Sequence, residues 1–143
     1  MSAESVELTV FGRPGPQGSK TSYGKGRMVE SSKRVKPWRD AVVTVGLEVM
    51  AGRPPLDGPL AVSMVFTLPK PKSAPKGRRT WPDRTPDLSK LARSTEDALT
   101  DCGVIADDAR IVRYSPLEKC YPGEGVDALA LPGVVVRVRQ VTE

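Results

Sequence analysis

The sequence predicts an α+β fold, a small mixed β-sheet with two main helices packed against it, within one domain spanning residues 1–143. Three observations carry this. Apolar residues alternate at period two near both ends of the chain and in its middle. Two other windows repeat their apolar residues at helical spacing. A chain of 143 residues suits one compact domain with a core of its own.

The first strand is "VELTVFG", with Val6, Leu8 and Val10 on one side and Glu7, Thr9 and Phe11 on the other. "RPGPQGSKTSYGKGR" follows, and its Gly, Pro, Ser and basic residues predict a long exposed loop. "RMVE" reads as a short returning strand. A first helix is expected from about Pro37 to Met50, with Pro37 in the first turn and Gly52 and "RPPLDGP" beyond its end. "LAVSMVFTL" is the clearest strand, with Leu60, Val62, Met64, Phe66 and Leu68 sharing a face. Residues 69–85 are rich in Pro, Lys and Arg and predict a flexible surface segment, since prolines restrict helix and ladder formation. A second helix runs from roughly Leu88 to Asp101 with Asp87 at its N-cap. Its apolar stripe is Leu88, Leu91, Ala92, Thr95, Ala98 and Leu99. "ARIVRYSPLEK" and "GVVVRVRQV" complete the sheet.

Composition narrows the chemistry. The chain has no histidine, which excludes Ser-His-Asp and Cys-His catalysis and any His-bound metal within it. Cys102 and Cys120 are too few for a disulfide scaffold and read as reduced thiols. Nothing resembles a transmembrane span, and "MSAESVELTV" lacks the features of a secretory signal, so a cytoplasmic location without membrane contact is expected. A net charge of +5 and a pI near 9.4 favour an acidic partner such as nucleic acid.

Asp87, Asp107 and Asp108 are the candidate metal-binding and catalytic acids. Each has a plainer role beside that one. Asp87 caps a helix, and a carboxylate that accepts backbone N–H groups has fewer directions left for a cation. Asp107 and Asp108 suit a turn, and adjacent carboxylates repel unless a cation or basic group lies between them. Mg²⁺ suits carboxylate ligands and retains several waters. Arg93 would supply a fixed cation to a phosphorane, or pair with Asp97 or Glu96 on its own helix.

"PDLSKLARSTEDAL" followed by "GVIADDARIV" resembles the RusA-type crossover junction endodeoxyribonucleases, the Holliday junction resolvases common in phages and prophages. The family pattern is a D-L-D-N-L-x-K helix start, then D-A-L, then a D-D pair opening a strand. "GRPGPQGSK…KPWRDAV" is similar to the family's N-terminal half. The resemblance implies a homodimeric, Mg²⁺-dependent nuclease, with Mn²⁺ as a substitute ion, that nicks opposed strands of a four-way DNA junction in recombination and repair. It places Asp87 at the first aspartate of the helix start, Asp107 and Asp108 at the D-D pair, Asp97 at the D of D-A-L, and Arg93 in the place of the catalytic lysine. It also implies a bacterial cytoplasmic protein of phage or prophage type.

Two positions depart from the pattern: Ser89 stands where the second acid belongs, and Lys90 where the asparagine does. Lys90 is a second candidate for the catalytic cation. Glu96 lies too far from Ser89 to replace that acid, about 10 Å along the helix axis. DNA contacts are expected from Lys20, Lys25, Arg27, Lys33 and Arg34, from Lys70, Lys72, Lys76, Arg78, Arg79 and Arg84, and from Lys90, mostly to phosphates. Tyr23 and Trp38 are candidates to stack at the junction, Trp38 also being a candidate for the core. The alternative function is a branched-DNA-binding protein of the same fold, its cleavage weakened by Ser89. A metal-free RNA-binding or assembly protein is a third.

Overall fold

The computed structural model describes residues 4–18 and 24–143, with side chains omitted from 24–32. Strands β1 (Ser5–Phe11), β2 (Leu60–Thr67), β3 (Ile111–Cys120) and β4 (Gly133–Gln140) form one sheet in the order β1-β4-β2-β3. β4 runs antiparallel to both β1 and β2, and β3 runs parallel to β2, so the sheet is mixed. Helices α1 (Gly24–Met50) and α2 (Leu88–Asp101) pack together, and the core brings their buried residues onto Val6, Leu8 and Val10 of β1 and Val134, Val136 and Val138 of β4. The fold is α+β, as the apolar periodicities predict. Among the described residues no helix is long and apolar enough to cross a membrane.

β1 keeps the predicted alternation, with Val6, Leu8 and Val10 buried. β2 differs, because every one of its residues is buried. It lies between β3 and β4, and at its C-terminal end the second face is covered where Leu129 N–H donates to Thr67 Oγ1 over 2.9 Å. A central strand has both faces to cover, which alternation alone does not convey.

α1 departs most from expectation. The "RMVE" segment lies in this helix and not in a strand, and Pro37 sits inside the helix and not in its first turn. Proline removes one N–H and crowds the carbonyl four residues back, which bends or weakens a helix without forbidding the turns before it. Trp38 is core: it is 2% exposed, and its Nε1–H donates to Thr95 Oγ1 over 3.0 Å. Its ring lies 6.4 Å from that of Phe66. The two helices approach closely at Gly46, where an added Cβ would stand 2.3 Å from Cys102 Sγ.

The loop after β1 is also less exposed than predicted. Pro14 and Gly15 are buried, Gly15 O accepts from Ser94 Oγ over 2.6 Å, and Gln17 N–H donates to Lys90 O over 3.0 Å. A side chain at Gly15 would collide with Arg34 O at 2.2 Å. This loop is therefore fastened across the first half of α2.

Candidate functional site

α2 organises the candidate residues along its exposed face. Leu91, Ala92, Ser94, Thr95, Ala98 and Leu99 are buried, while Ser89, Lys90 and Arg93 are exposed. Ser94 is the member of the buried stripe that its hydroxyl hides from a hydropathy reading, and its bond to Gly15 O is what places it inside.

Asp87 takes the N-cap position, but its side chain makes no capping bond. The two roles that compete for this carboxylate are thus separated: the backbone carbonyl of Asp87 accepts from Lys90 and Leu91 N–H, and the carboxylate stays open beside Lys90 Nζ at 3.6 Å. Lys119 fixes the approach to this point by donating to Arg84 O and Pro86 O over 2.6 and 2.8 Å.

Asp107 and Asp108 stand together beyond the other end of α2, on a short 3₁₀ turn, Asp108–Arg110, that leads into β3. Asp107 accepts from Ala109 N–H over 3.1 Å. That bond, followed by one from the Asp108 side chain, holds the Asp107 carboxyl below its ordinary pKa. Asp108 moves the other way, raised by its hydrogen bond to Asp107, by burial, and by the charges of Asp107 and Asp97. The two shifts run in opposite directions because adjacent carboxylates resist carrying full charge together.

Two further groups join them that the sequence did not single out as site residues. Glu96 is raised chiefly by burial, opposed by a hydrogen bond from Tyr114, and lifted again by Asp108 and Asp97. Tyr114 Oη donates to Glu96 Oε2 from strand β3, and burial and that bond hold its phenol well above the ordinary range. The only advance signal was the Glu96–Asp97 pair on the helix itself, since Tyr114 meets it across strand β3.

α2 carries its charges against its own dipole. It has no acid in its first turn and no base in its last, although the C-terminal end of a helix favours cations. Asp101 finds an ion pair with Arg39 at 2.7 Å, but Asp107 and Asp108 have no cation within salt-bridge reach among the described residues. Arg93 likewise has none, so the expected pair with Asp97 is not formed.

The trio expected from the sequence is not assembled in this chain. Among the described residues no three carboxylate or thiol groups converge on one ion position. The reason is helix geometry: Asp97, which acts on Asp108, lies about 15 Å along the axis from Asp87, at 1.5 Å per residue. The Asp107–Asp108 pair still fits a hard cation, because Mg²⁺ is commonly held by one or two carboxylates and completed by water and phosphate. The donor set is oxygen-only, and Arg110, the cation whose charge acts on Asp107, is drawn away to Asp57 at 2.7 Å.

The basic residues divide. Lys70 is committed to structure, 2.5 Å from Glu124 and largely covered. Lys72, Lys76, Arg78, Arg79 and Arg84 are exposed. Lys33 and Arg34 surround a hollow of about 210 Å³ with Arg13, a cation missed in the sequence. Burial and the neighbouring Arg34 charge lower the pKa of Arg13. Lys20 and Tyr23 lie outside the described residues, as do the side chains of Lys25 and Arg27. Trp38 is buried and cannot stack on DNA.

The sequence model of the family described as "Endodeoxyribonuclease RusA" matches residues 12–139 of the chain. No curated protein matches it.

Proposed function

Because the chain belongs to the RusA endodeoxyribonuclease family, whose members hydrolyse DNA, we propose that it resolves four-way DNA junctions by paired phosphodiester nicks. The observation that carries the site is the Asp107–Asp108 pair, two adjacent carboxylates with no cation within ion-pair distance among the described residues, Arg110 being paired with Asp57 instead. Asp107 and Asp108 would hold Mg²⁺, with Mn²⁺ as a substitute, and the bound ion would polarise the phosphodiester and acidify an attacking water.

The chain's own groups do the rest. Arg93, exposed and unpaired among the described residues, offers its guanidinium to the charge that builds on the phosphorane. Lys90 is the second cation on that face and keeps the Asp87 carboxylate company at 3.6 Å. Asp87 belongs to the same reading as an open carboxylate at the start of α2. Arg13, Lys33 and Arg34 around their hollow, and Lys72, Lys76, Arg78 and Arg79 on the Pro-rich segment, supply phosphate contacts. Paired nicks on opposed strands need two sites, and each chain carries one, so the working unit is a homodimer in this reading. The setting is the bacterial cytoplasm, the gene of phage or prophage type.

A labelled four-way junction incubated with purified protein, with and without Mg²⁺, tests this directly. Symmetric nicks that require the ion are expected, and a chain that leaves the junction intact under all ions refutes cleavage.

Ser89 favours a second reading, a branched-DNA-binding protein of the same fold with weakened cleavage. It is exposed at the start of α2 where the family carries an acid, and no third carboxylate joins the Asp107–Asp108 pair among the described residues. Ser89→Asp separates the two: activity gained from none supports the binder, and a parent that already cuts dismisses it.

A further inference from the structure

We propose that Trp81 is a stacking platform for an unpaired nucleobase, with Arg79 holding the indole in place; the inference rests on the DNA-cleaving reading above and concerns how branched DNA is gripped. Trp81 is 51% exposed, in a chain whose other tryptophan is 2% exposed. An indole left open to water on a segment of exposed cations is suited to a ligand with both a flat apolar face and negative charge. A nucleotide has both.

Both of its chain neighbours are fastened. Thr80 N–H donates to Glu124 Oε1 over 2.9 Å, and Pro82 is buried. Asp83 N–H closes a turn onto Trp81 O over 2.9 Å. The Arg79 guanidinium lies 3.9 Å from the centre of the indole ring. It also rests beside Gly125, where an added Cβ would stand 3.3 Å from Arg79 Nη2. The ring is therefore oriented before any ligand arrives, which removes part of the ordering cost of binding.

Arg79 has no ion-pair partner among the described residues, so its charge is available to a phosphate next to the stacked base. Every base offers a π-face, so stacking of this kind tolerates any sequence but requires the base to leave the duplex. Bases at a strand crossing lose continuous stacking on one side and so leave their pair at less cost than bases inside a closed duplex. Six residue steps take the chain from Trp81 to Asp87, a reach of at most about 22 Å, so a base held here lies near the start of α2.

The two tryptophans make the test optical. The red-edge emission belongs to exposed Trp81 and the blue-edge emission to buried Trp38. Titration with oligothymidine, with a four-way junction and with a blunt closed duplex should quench the red edge for the first two only, and Trp81→Phe should abolish that signal. In equilibrium binding, Trp81→Ala should lose about tenfold for the junction and the single strand and less than about twofold for the duplex, while Trp81→Phe stays within about threefold of the parent. Equal losses on all three DNAs, or no quenching by the single strand, overturn the proposal. A parent that cuts junctions while Trp81→Ala binds them unchanged refutes the platform alone. A parent that shows the quenching and the selective loss but cuts nothing refutes the nuclease reading and leaves the platform standing.

Discussion

The acidic end of α2 and the Pro-rich segment that precedes the helix hold opposite charges in opposite states. In the segment, Lys70 is paired with Glu124, Thr80 N–H donates to the same carboxylate, and Arg79 lies on the indole of Trp81 with its charge still open to a phosphate. At the acidic end, Asp107 and Asp108 lean on each other with the acids Asp97 and Glu96 near Asp108, and Arg110, whose charge acts on Asp107, is itself paired with Asp57. The difference teaches where to look for chemistry. Charges already paired hold the fold, and charges crowded against their own sign need a ligand to relieve them.

Substitution of Asp108 should have the largest effect. Asp108→Asn should lower junction cleavage by about 10³-fold, the scale of losing several kcal/mol of charge stabilisation at a metal centre, with junction affinity unchanged. The same variant should melt at a higher temperature than the parent in the absence of Mg²⁺, because it removes a carboxyl whose pKa is raised on folding. Sign follows from linkage: a carboxyl with a raised folded pKa loses stability as pH climbs past its unfolded value, so at neutral pH its charge is a cost. A parent-like cleavage rate, measured on a labelled junction, removes Asp108 from the site.

Arg93 comes next. Arg93→Ala should reduce cleavage by about 10²-fold, as for other single groups that meet transition-state charge, and Arg93→Lys should recover most of it. Single-turnover rates at saturating protein distinguish this from weaker binding. An unchanged rate for Arg93→Ala passes the role to Lys90.

How much of this was legible depended on how local each cause was. α2 could be read to its ends, because Pro86 and Asp87 announce its start and Gly103 follows its last residues. Asp107 and Asp108 were visible for the same reason. The early turns of α1 were not visible, since Gly, Ser, Lys and Arg there give no apolar stripe and Pro37 looks like a beginning. The burial of β2 on both faces was hidden because Ser63 and Thr67 look like solvent-facing residues. Contacts made at long range left no trace. Tyr114 reaches Glu96 from β3, α2 and β3 lie between Lys70 and Glu124 along the chain, and the distance between Asp87 and the Asp pair follows from the helix that joins them.

The smallest effect sharpens the comparison through pH. Glu124 is held below its ordinary value of 4.5 by Lys70 first and by Thr80 N–H second. A carboxyl with a depressed folded pKa stabilises above its unfolded value, and its contribution fades only as pH falls through the lower, folded value. The latch on the Pro-rich segment should therefore persist as pH drops to 4.5 and release below it. Glu96 and Asp108, both raised, should take up their protons at higher pH than ordinary carboxyls. Glu96 and Asp108 therefore take up protons before the latch does. Acrylamide quenching of Trp81 measures the latch, while the emission of buried Trp38 reports any global unfolding. Glu124→Gln, which keeps the shape of the side chain but not its charge, should show a more accessible Trp81 at neutral pH and a flat profile on acidification. If parent and variant are equally accessible at pH 7, the Glu124 contacts do not hold the segment, and the indole of Trp81 must be positioned by Arg79 and the buried Pro82 alone.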